Sequence, residues 1–150
     1  INNALQTYSQ IYKSKLNFLK PVDGIISSRY GKKRFINELP RSPHLALDIA
    51  ASTGTSIVAP DYGKVILTGN FFYSGNYLIL DHGYGLLTSY SHLSLIEVSE
   101  GQLIKQGQKI GEVGETGRVT GPHLHWTVYL NGTRINPESI IKEGSLESIF

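Results

Sequence analysis

The sequence has no cysteine and no methionine. Without cysteine no disulfide framework can brace the chain, and thiol usage says nothing about redox compartment. Any metal site must then be built from histidine and carboxylates. The missing methionine, with a start at Ile1-Asn2-Asn3, reads as a processed or excised piece from which a signal peptide or anchor has been removed. Long apolar runs are also missing. None approaches the roughly 18 residues a membrane-spanning helix needs, so a soluble piece with no membrane span is expected. Charge of one sign is scarce too: the formal net charge is +2, and the longest basic run is Lys32-Lys33-Arg34. That is too little to support a nucleic-acid partner, and none is expected.

What is present suits one folded domain. The 150 residues are 40% apolar and 17% charged, enough to bury an ordinary core. Sixteen glycines exceed the average share of about 7% and punctuate short β-rich runs. These are "GIISSRYG", "LALDIA", "SIVAP", "GKVILTG", "NYLILDHG", "LLTSYSHL", "IEVSE", "QKIGEVG" and "HLHWTVYL". The pattern predicts a mainly β fold, a glycine-rich sandwich or barrel-like set of antiparallel sheets. Asn131-Gly132 between "WTVYL" and "TRI" predicts a type I′ hairpin. Before the strands, Ile1, Leu5, Tyr8, Tyr12 and Leu16 fall at helical spacing, so 1–19 is read as an N-terminal helix or linker and 20–150 as the domain. Asn136-Pro137-Glu138 predicts a cap and a short C-terminal helix through Ile140 and Ile141 to near Gly144.

Five histidines carry the chemical interest: His44, His82, His92, His123 and His125. In a strand, residues two apart face the same way, so His123 and His125 would aim two imidazoles at one spot, about 6.6 Å apart. Trp126, Val128 and Leu130 are read as continuing that face into the core. His44 and Asp48 in "HLALD" would lie roughly 13 Å apart on a straight strand, too far to share one ion. If both serve one site, the backbone between them must bend. The bland alternative leaves Asp48 capping a turn and His44 exposed.

Five ordered segments then set the family. "HLALD" (44–48), "GTSIVAPDYGKV" (54–65), "DHGYGLLTSYSHL" (81–93), "GQLIKQGQKIGEVGETG" (101–117) and "TGPHLHW" (120–126) resemble the catalytic domain of lysostaphin/LytM-type zinc metallopeptidases. The resemblance covers about residues 21–141. It implies a hydrolase of peptide cross-links in bacterial peptidoglycan, acting in the periplasm or outside the cell, with an upstream regulatory segment and a membrane anchor in the full-length protein. It makes His44, Asp48 and His125 the zinc ligands and His92 and His123 the catalytic pair. His82, in "DHGYG", has no metal role in the family and is read as structural. Two features depart from the family pattern: Ala46 where glycine is common, and a longer aromatic loop, "GNFFYSGNY" (69–77). That loop is more like Gram-negative members and favours D-alanyl–diaminopimelate bonds over glycine bridges.

The implied chemistry is coherent. Two imidazoles and one carboxylate leave Zn²⁺ an open position for a water, whose pKa zinc can lower to about 7. No His-Glu-x-x-His motif is present, so histidines must handle the protons. Two other classes compete with an enzyme. A wall-binding regulatory module would have lost zinc ligands, but all three are here. A biotinyl/lipoyl-type carrier would need its lysine at a hairpin tip, and neither Lys105 nor Lys109 occupies one.

Overall fold

The computed structural model describes residues 1–9, 17–31, 34–36, 39–41 and 44–141. It opens with α1 (Asn2–Leu5), β1 (Ile25–Ser28) and the small β2 (Arg34–Ile36)–β3 (Leu39–Arg41) hairpin. Next come β4 (Leu47–Ala50), β5 (Ser56–Val58), β6 (Gly63–Phe71), β7 (Gly75–Gly83) and β8 (Leu86–Ile96). The chain continues with β9 (Leu103–Ile104), β10 (Lys109–Val113), β11 (His123–Leu130), β12 (Thr133–Ile135) and a 3₁₀ turn, Pro137–Ser139. Among the described residues ten strands form one sheet, ordered β1-β4-β11-β8-β7-β6-β9, with β10, β5 and β12 attached at its sides. These strand pairs are antiparallel, as the glycine-punctuated runs predict.

Apolar alternation decides which way each strand faces. On β4, Leu47 and Ile49 are buried, and on β11 so are Leu124, Trp126 and Val128. These join Val65, Leu78, Leu80, Tyr90 and Leu93 in the main core. Side chains two apart share a face, so His123 and His125 are continued by Thr127 and Tyr129. Trp126 and Val128 lie on the opposite, core face, and Leu130 is exposed. The expectation that these three extend the histidine face is therefore corrected. The histidine face leads to a second, smaller cluster of Tyr77, Ile79, Leu87 and Tyr129, against which Ala4 and Leu5 pack.

Several elements differ in extent from expectation. The helix read over 1–19 spans only Asn2–Leu5, has no side-chain cap, and ends at Gln6. Residues 7–9 are not helical, and 10–16 lie outside the described residues. Four residues without a cap are marginal unless packed. Phe18 is fully buried in the main core and bridges Ile141, so the packed body reaches back beyond residue 20. At the other end the Asn136 side chain accepts from the Glu138 N–H at 3.1 Å and Pro137 opens the turn. The expected helix stops after that 3₁₀ turn, because Ile141 instead pairs with Phe18; 142–150, with Gly144, lie outside the described residues. "IEVSE" forms no strand of its own: Ile96 ends β8. The Asn131-Gly132 hairpin forms as expected, with φ of 50° and 79° and Leu130 opposite Thr133. No described helix is long and apolar enough to cross a membrane.

His82 sits in this frame rather than in the cleft. Its Nδ1 lies 2.9 Å from the Tyr62 carbonyl and its Nε2 2.7 Å from Thr88 Oγ1, which in turn bonds the Tyr90 hydroxyl. Burial holds its pKa below the ordinary 6.5, outweighing the Tyr62 hydrogen bond and the Asp61 and Asp81 charges. Below pH 6.5 the unfolded chain therefore takes up a proton that the native ring refuses, and stability falls towards the native pKa. Melting temperatures of chelator-treated protein from pH 8 to 5 should fall more steeply for wild type than for His82→Gln. Parallel curves would show that His82 does not carry this linkage.

Candidate metal centre and cleft

The site is built on three neighbouring strands. β11 pairs with β4 so that His125 faces Asp48, and with β8 so that the same His125 faces Ser91. Opposite residues of an antiparallel pair share a face, which puts the Asp48 carboxylate beside the His125 ring. Asp48 Oδ1 lies 2.8 Å from His125 Nδ1. His44 is not on the strand. β4 begins at Leu47, with a bend at Ala46, and that bend folds His44 back until its Nε2 is 3.2 Å from Asp48 Oδ2. The required bend is present, and the exposed-His44 alternative is excluded by its 2% exposure. One nitrogen or oxygen from each of His44, Asp48 and His125 lies within 4.8 Å of the others.

The polar bookkeeping of His44 tests whether this group suits a cation. Its Nδ1 is 3.0 Å from the Arg29 carbonyl, which can only accept, so Nδ1 carries the hydrogen. In the neutral ring, Nε2 then offers a lone pair to a carboxylate oxygen that also offers lone pairs. That nitrogen is buried without a hydrogen-bond partner. Two acceptors facing each other at 3.2 Å call for a cation between them. Burial by itself would raise the Asp48 pKa. The His125 hydrogen bond and the His125, His44 and His123 charges outweigh it, so the carboxylate stays ionised. A neutral-nitrogen and carboxylate donor set suits zinc.

His92 and His123 complete the cluster. Their ring centroids are 5.2 Å apart, and His92 lies 5.9 Å from His125. His92 reaches the cleft through a bulge. Tyr90 pairs with Leu78 and Leu93 with Asn76, so two residues, Ser91 and His92, stand opposite Tyr77 alone. The extra residue takes φ 69°, a left-handed conformation rare for a side chain with Cβ. Such bulges re-aim a side chain beside active sites. The His92 N–H donates to the Ser74 carbonyl at 2.7 Å. His92 Nδ1 is 2.8 Å from the Thr116 carbonyl and His123 Nδ1 is 2.9 Å from the Gly121 carbonyl. Each ring therefore holds its hydrogen on Nδ1 and keeps Nε2 as a base. Burial, and then the His123 and His125 charges, lower the His92 pKa against the Thr116 bond and Asp48, which keeps the ring unprotonated.

All five residues singled out from the sequence, His44, Asp48, His92, His123 and His125, line one cleft of about 820 Å³. Tyr73, Ser74 and Tyr77 of the aromatic stretch 69–77 also line it, whereas sequence reasoning did not single out Ser89 and Ser91 on β8, Thr127 and Tyr129 on β11, Arg118 or Arg134. Period-two counting from His125 would have found Thr127 and Tyr129. Nothing local marks the carbonyls of Arg29, Thr116 and Gly121 that set the ring tautomers.

A nitrogen–oxygen donor group beside two open imidazole bases, on an antiparallel sheet, places the chain in the class of metal-dependent hydrolases. The chain belongs to peptidase family M23, whose model matches residues 42–137. It is 42% identical over 119 residues to the peptidoglycan DD-endopeptidase ShyA of Vibrio cholerae, covering 77% of this chain and 28% of that protein. A crystal structure of a putative M23 peptidase from Pseudomonas aeruginosa superposes with TM-score 0.79 at 43% identity, covering 91% of this chain and 55% of that one. A zinc-containing peptidase from Vibrio cholerae superposes at 0.75 and 39% identity, covering 80% and 39%. The chain thus spans roughly a quarter of the length of its first curated relatives.

The donor geometry generates a metal-binding test. Protein stripped with chelator and titrated with zinc should take up about one equivalent per chain, read by elemental analysis after desalting. Asp48→Ala and His125→Ala should each lose most of it. Full zinc content in both variants would remove this group as the metal centre.

Proposed function

We propose that this domain is a zinc-dependent endopeptidase that cleaves peptide cross-links of bacterial peptidoglycan, at D-alanyl–diaminopimelate bonds. The observation that carries the reading is the juxtaposition of the His44–Asp48–His125 group with two imidazoles whose Nε2 atoms are left open. Zinc held by His44, Asp48 and His125 would supply a Lewis acid that polarises the scissile carbonyl and acidifies water. His92 and His123 accept a proton at Nε2 from the attacking water. As the carbonyl–nitrogen bond breaks, that proton passes to the leaving amine nitrogen, so both imidazoles finish as they began. Their backbone partners, the Thr116 and Gly121 carbonyls, hold the rings in place between the two transfers.

Substrate choice rests on family context. The DD-endopeptidases among the relatives act on peptidoglycan, which supports action in the cell envelope, and we place the protein in the periplasm or outside the cell. Residues N-terminal to the packed body are proposed to belong to a linker towards a regulatory segment of the full-length protein. A binding module without hydrolysis is not favoured, since nothing in binding requires two tautomer-locked bases beside a donor group. The carrier reading gains nothing either: Lys109 is tied to Glu97 at 3.0 Å and Glu112 at 2.7 Å.

Two measurements test the proposal. Mass spectrometry of fragments released from purified walls should show cleavage of diaminopimelate cross-links and not of glycine bridges. The reverse pattern would overturn the bond assignment, and no fragments from either wall would overturn the activity. His92→Ala and His123→Ala should keep about one zinc while turnover falls by roughly 10²–10⁴, the usual worth of a positioned acid or base. Unchanged turnover would sink the proton-handling role, and lost zinc would make these residues ligands instead.

A further inference from the structure

Two arginines line the cleft, Arg118 and Arg134, and among the described residues neither guanidinium is paired with a carboxylate. Elsewhere on the surface Lys109 is paired with Glu97 and Glu112, and Arg29 with Glu138. Among the described residues Asp48 is the sole carboxylate of the cleft lining, and it is committed to His44 and His125. A groove whose described lining offers two spare guanidiniums and no free acid attracts anions.

Both arginines are held in place. The Arg118 N–H donates to the Tyr73 carbonyl at 3.1 Å, and its guanidinium carbon lies 5.9 Å from the centre of the Tyr73 ring. Gly117 packs so closely that a Cβ there would meet the Gly75 nitrogen at 2.4 Å, which locks this loop to the hairpin tip. Arg134 stands opposite Tyr129 in the β11–β12 ladder, with its guanidinium carbon 5.7 Å from that ring's centre. Stacking leaves the guanidinium edges, which carry the donors, free for a carboxylate.

The two positions bracket the reacting centre. Arg118 belongs to the loop that supplies the Thr116 carbonyl to His92 and leads into His123. Arg134 lies at the other end of the histidine face, level with Tyr129. Tyr129 lies six steps along the strand from His123, about 20 Å, the reach of roughly six residues of extended peptide. We propose that Arg118 and Arg134 are carboxylate anchors, one on each side of the histidine cluster, that select an anionic peptide. The proposal rests on the peptidase reading and deepens it: peptidoglycan stem peptides carry free carboxylates that neutral bridges lack.

Synthetic cross-linked stem peptides, with carboxylates either free or amidated, separate the possibilities. For wild type, kcat/KM should favour the free acid by roughly tenfold, as one charge-assisted contact at an exposed site allows. Arg118→Gln and Arg134→Gln should each bring that ratio down severalfold, mainly through KM, because such anchors hold ground and transition states alike. Arg→Lys should restore part of it, and salt should shrink it. Zinc content and melting temperature report whether each variant is folded. Equal loss on both peptides, or a wild type indifferent to amidation, would overturn the anchors. Calorimetric binding of the same pair gives the ratio independently of turnover. If wild type binds the acid form preferentially yet cleaves neither peptide, the peptidase reading fails while the anchors stand.

Discussion

A slip of one residue between β4 and β11 would carry Asp48 and His125 to opposite faces, so the site depends first on strand register. That register is held by the reverse side of the same strands. Leu47 and Ile49 on β4 lie opposite Trp126 and Leu124 on β11, all four fully buried. Burying one such side chain contributes about 1.5–3 kcal/mol. A slipped ladder would expose these side chains and press a carboxylate and two imidazoles into the core, at a cost of several kcal/mol. The polar cluster contributes little to this choice. It is placed by the apolar packing behind it.

The second constraint is local and works against regular pairing. At Ser91–His92 the edge of β8 changes partner, from β11 at Ser91 to β10 at Leu93. In a regular strand His92 would share the core face of Tyr90. The bulge lets Tyr90 and Leu93 both point into the core and turns His92 to the cleft. A left-handed histidine costs on the order of 1–3 kcal/mol, and its surroundings must over-determine it. They do: the Ser74 carbonyl takes its N–H and the Thr116 carbonyl its ring hydrogen. Thr116 Oγ1 in turn donates to the Leu93 carbonyl at 2.7 Å and accepts from the Asn76 N–H at 3.0 Å. Gly75, at φ 64°, leaves room for this clasp, since a Cβ there would meet the Thr116 backbone at 2.3 Å.

These two constraints explain what the sequence does and does not disclose. Strand runs are legible because apolar and polar residues alternate between glycines, and the hairpin is legible because Asn131-Gly132 suits two left-handed residues. The pairing of His123 with His125 on one face follows from strand period alone. Counting two further along that face reaches Thr127 and Tyr129, which are polar or amphipathic and so do not look like a continuation of a core strand. The approach of His44 to Asp48 is only conditionally legible: spacing demands a bend, but nothing in "HLALD" states that it occurs. His92 is illegible by period, since parity assigns it to the core and only long-range pairing creates the bulge. At the N-terminus helical spacing predicts more than the described residues show: α1 ends at Leu5, residues 7–9 are not helical, and Tyr12 and Leu16 lie outside the described residues.

Five copies of one residue type acquire different chemistry here through their partners. His82 has both ring nitrogens bonded in the interior, and burial keeps it neutral, so it can neither bind an ion nor exchange protons readily. His44 has Nδ1 bonded to a carbonyl and Nε2 buried against a carboxylate oxygen, which leaves a lone pair aimed at a cation-sized gap. His125 turns Nδ1 to the same carboxylate from the other side. His92 and His123 also spend Nδ1 on backbone carbonyls, but their Nε2 atoms meet no fixed acceptor and open on the cleft. A main-chain carbonyl can only accept, so it fixes the tautomer without adding a titrating group beside the ring. Had carboxylates held these two rings, each would have gained a neighbouring charge that raises its pKa and favours imidazolium. Backbone carbonyls hold both rings orientated with Nε2 turned to the cleft, and at His92 burial keeps the ring neutral against the pull of its own carbonyl bond, so that it can take a proton from water and return it to an amine.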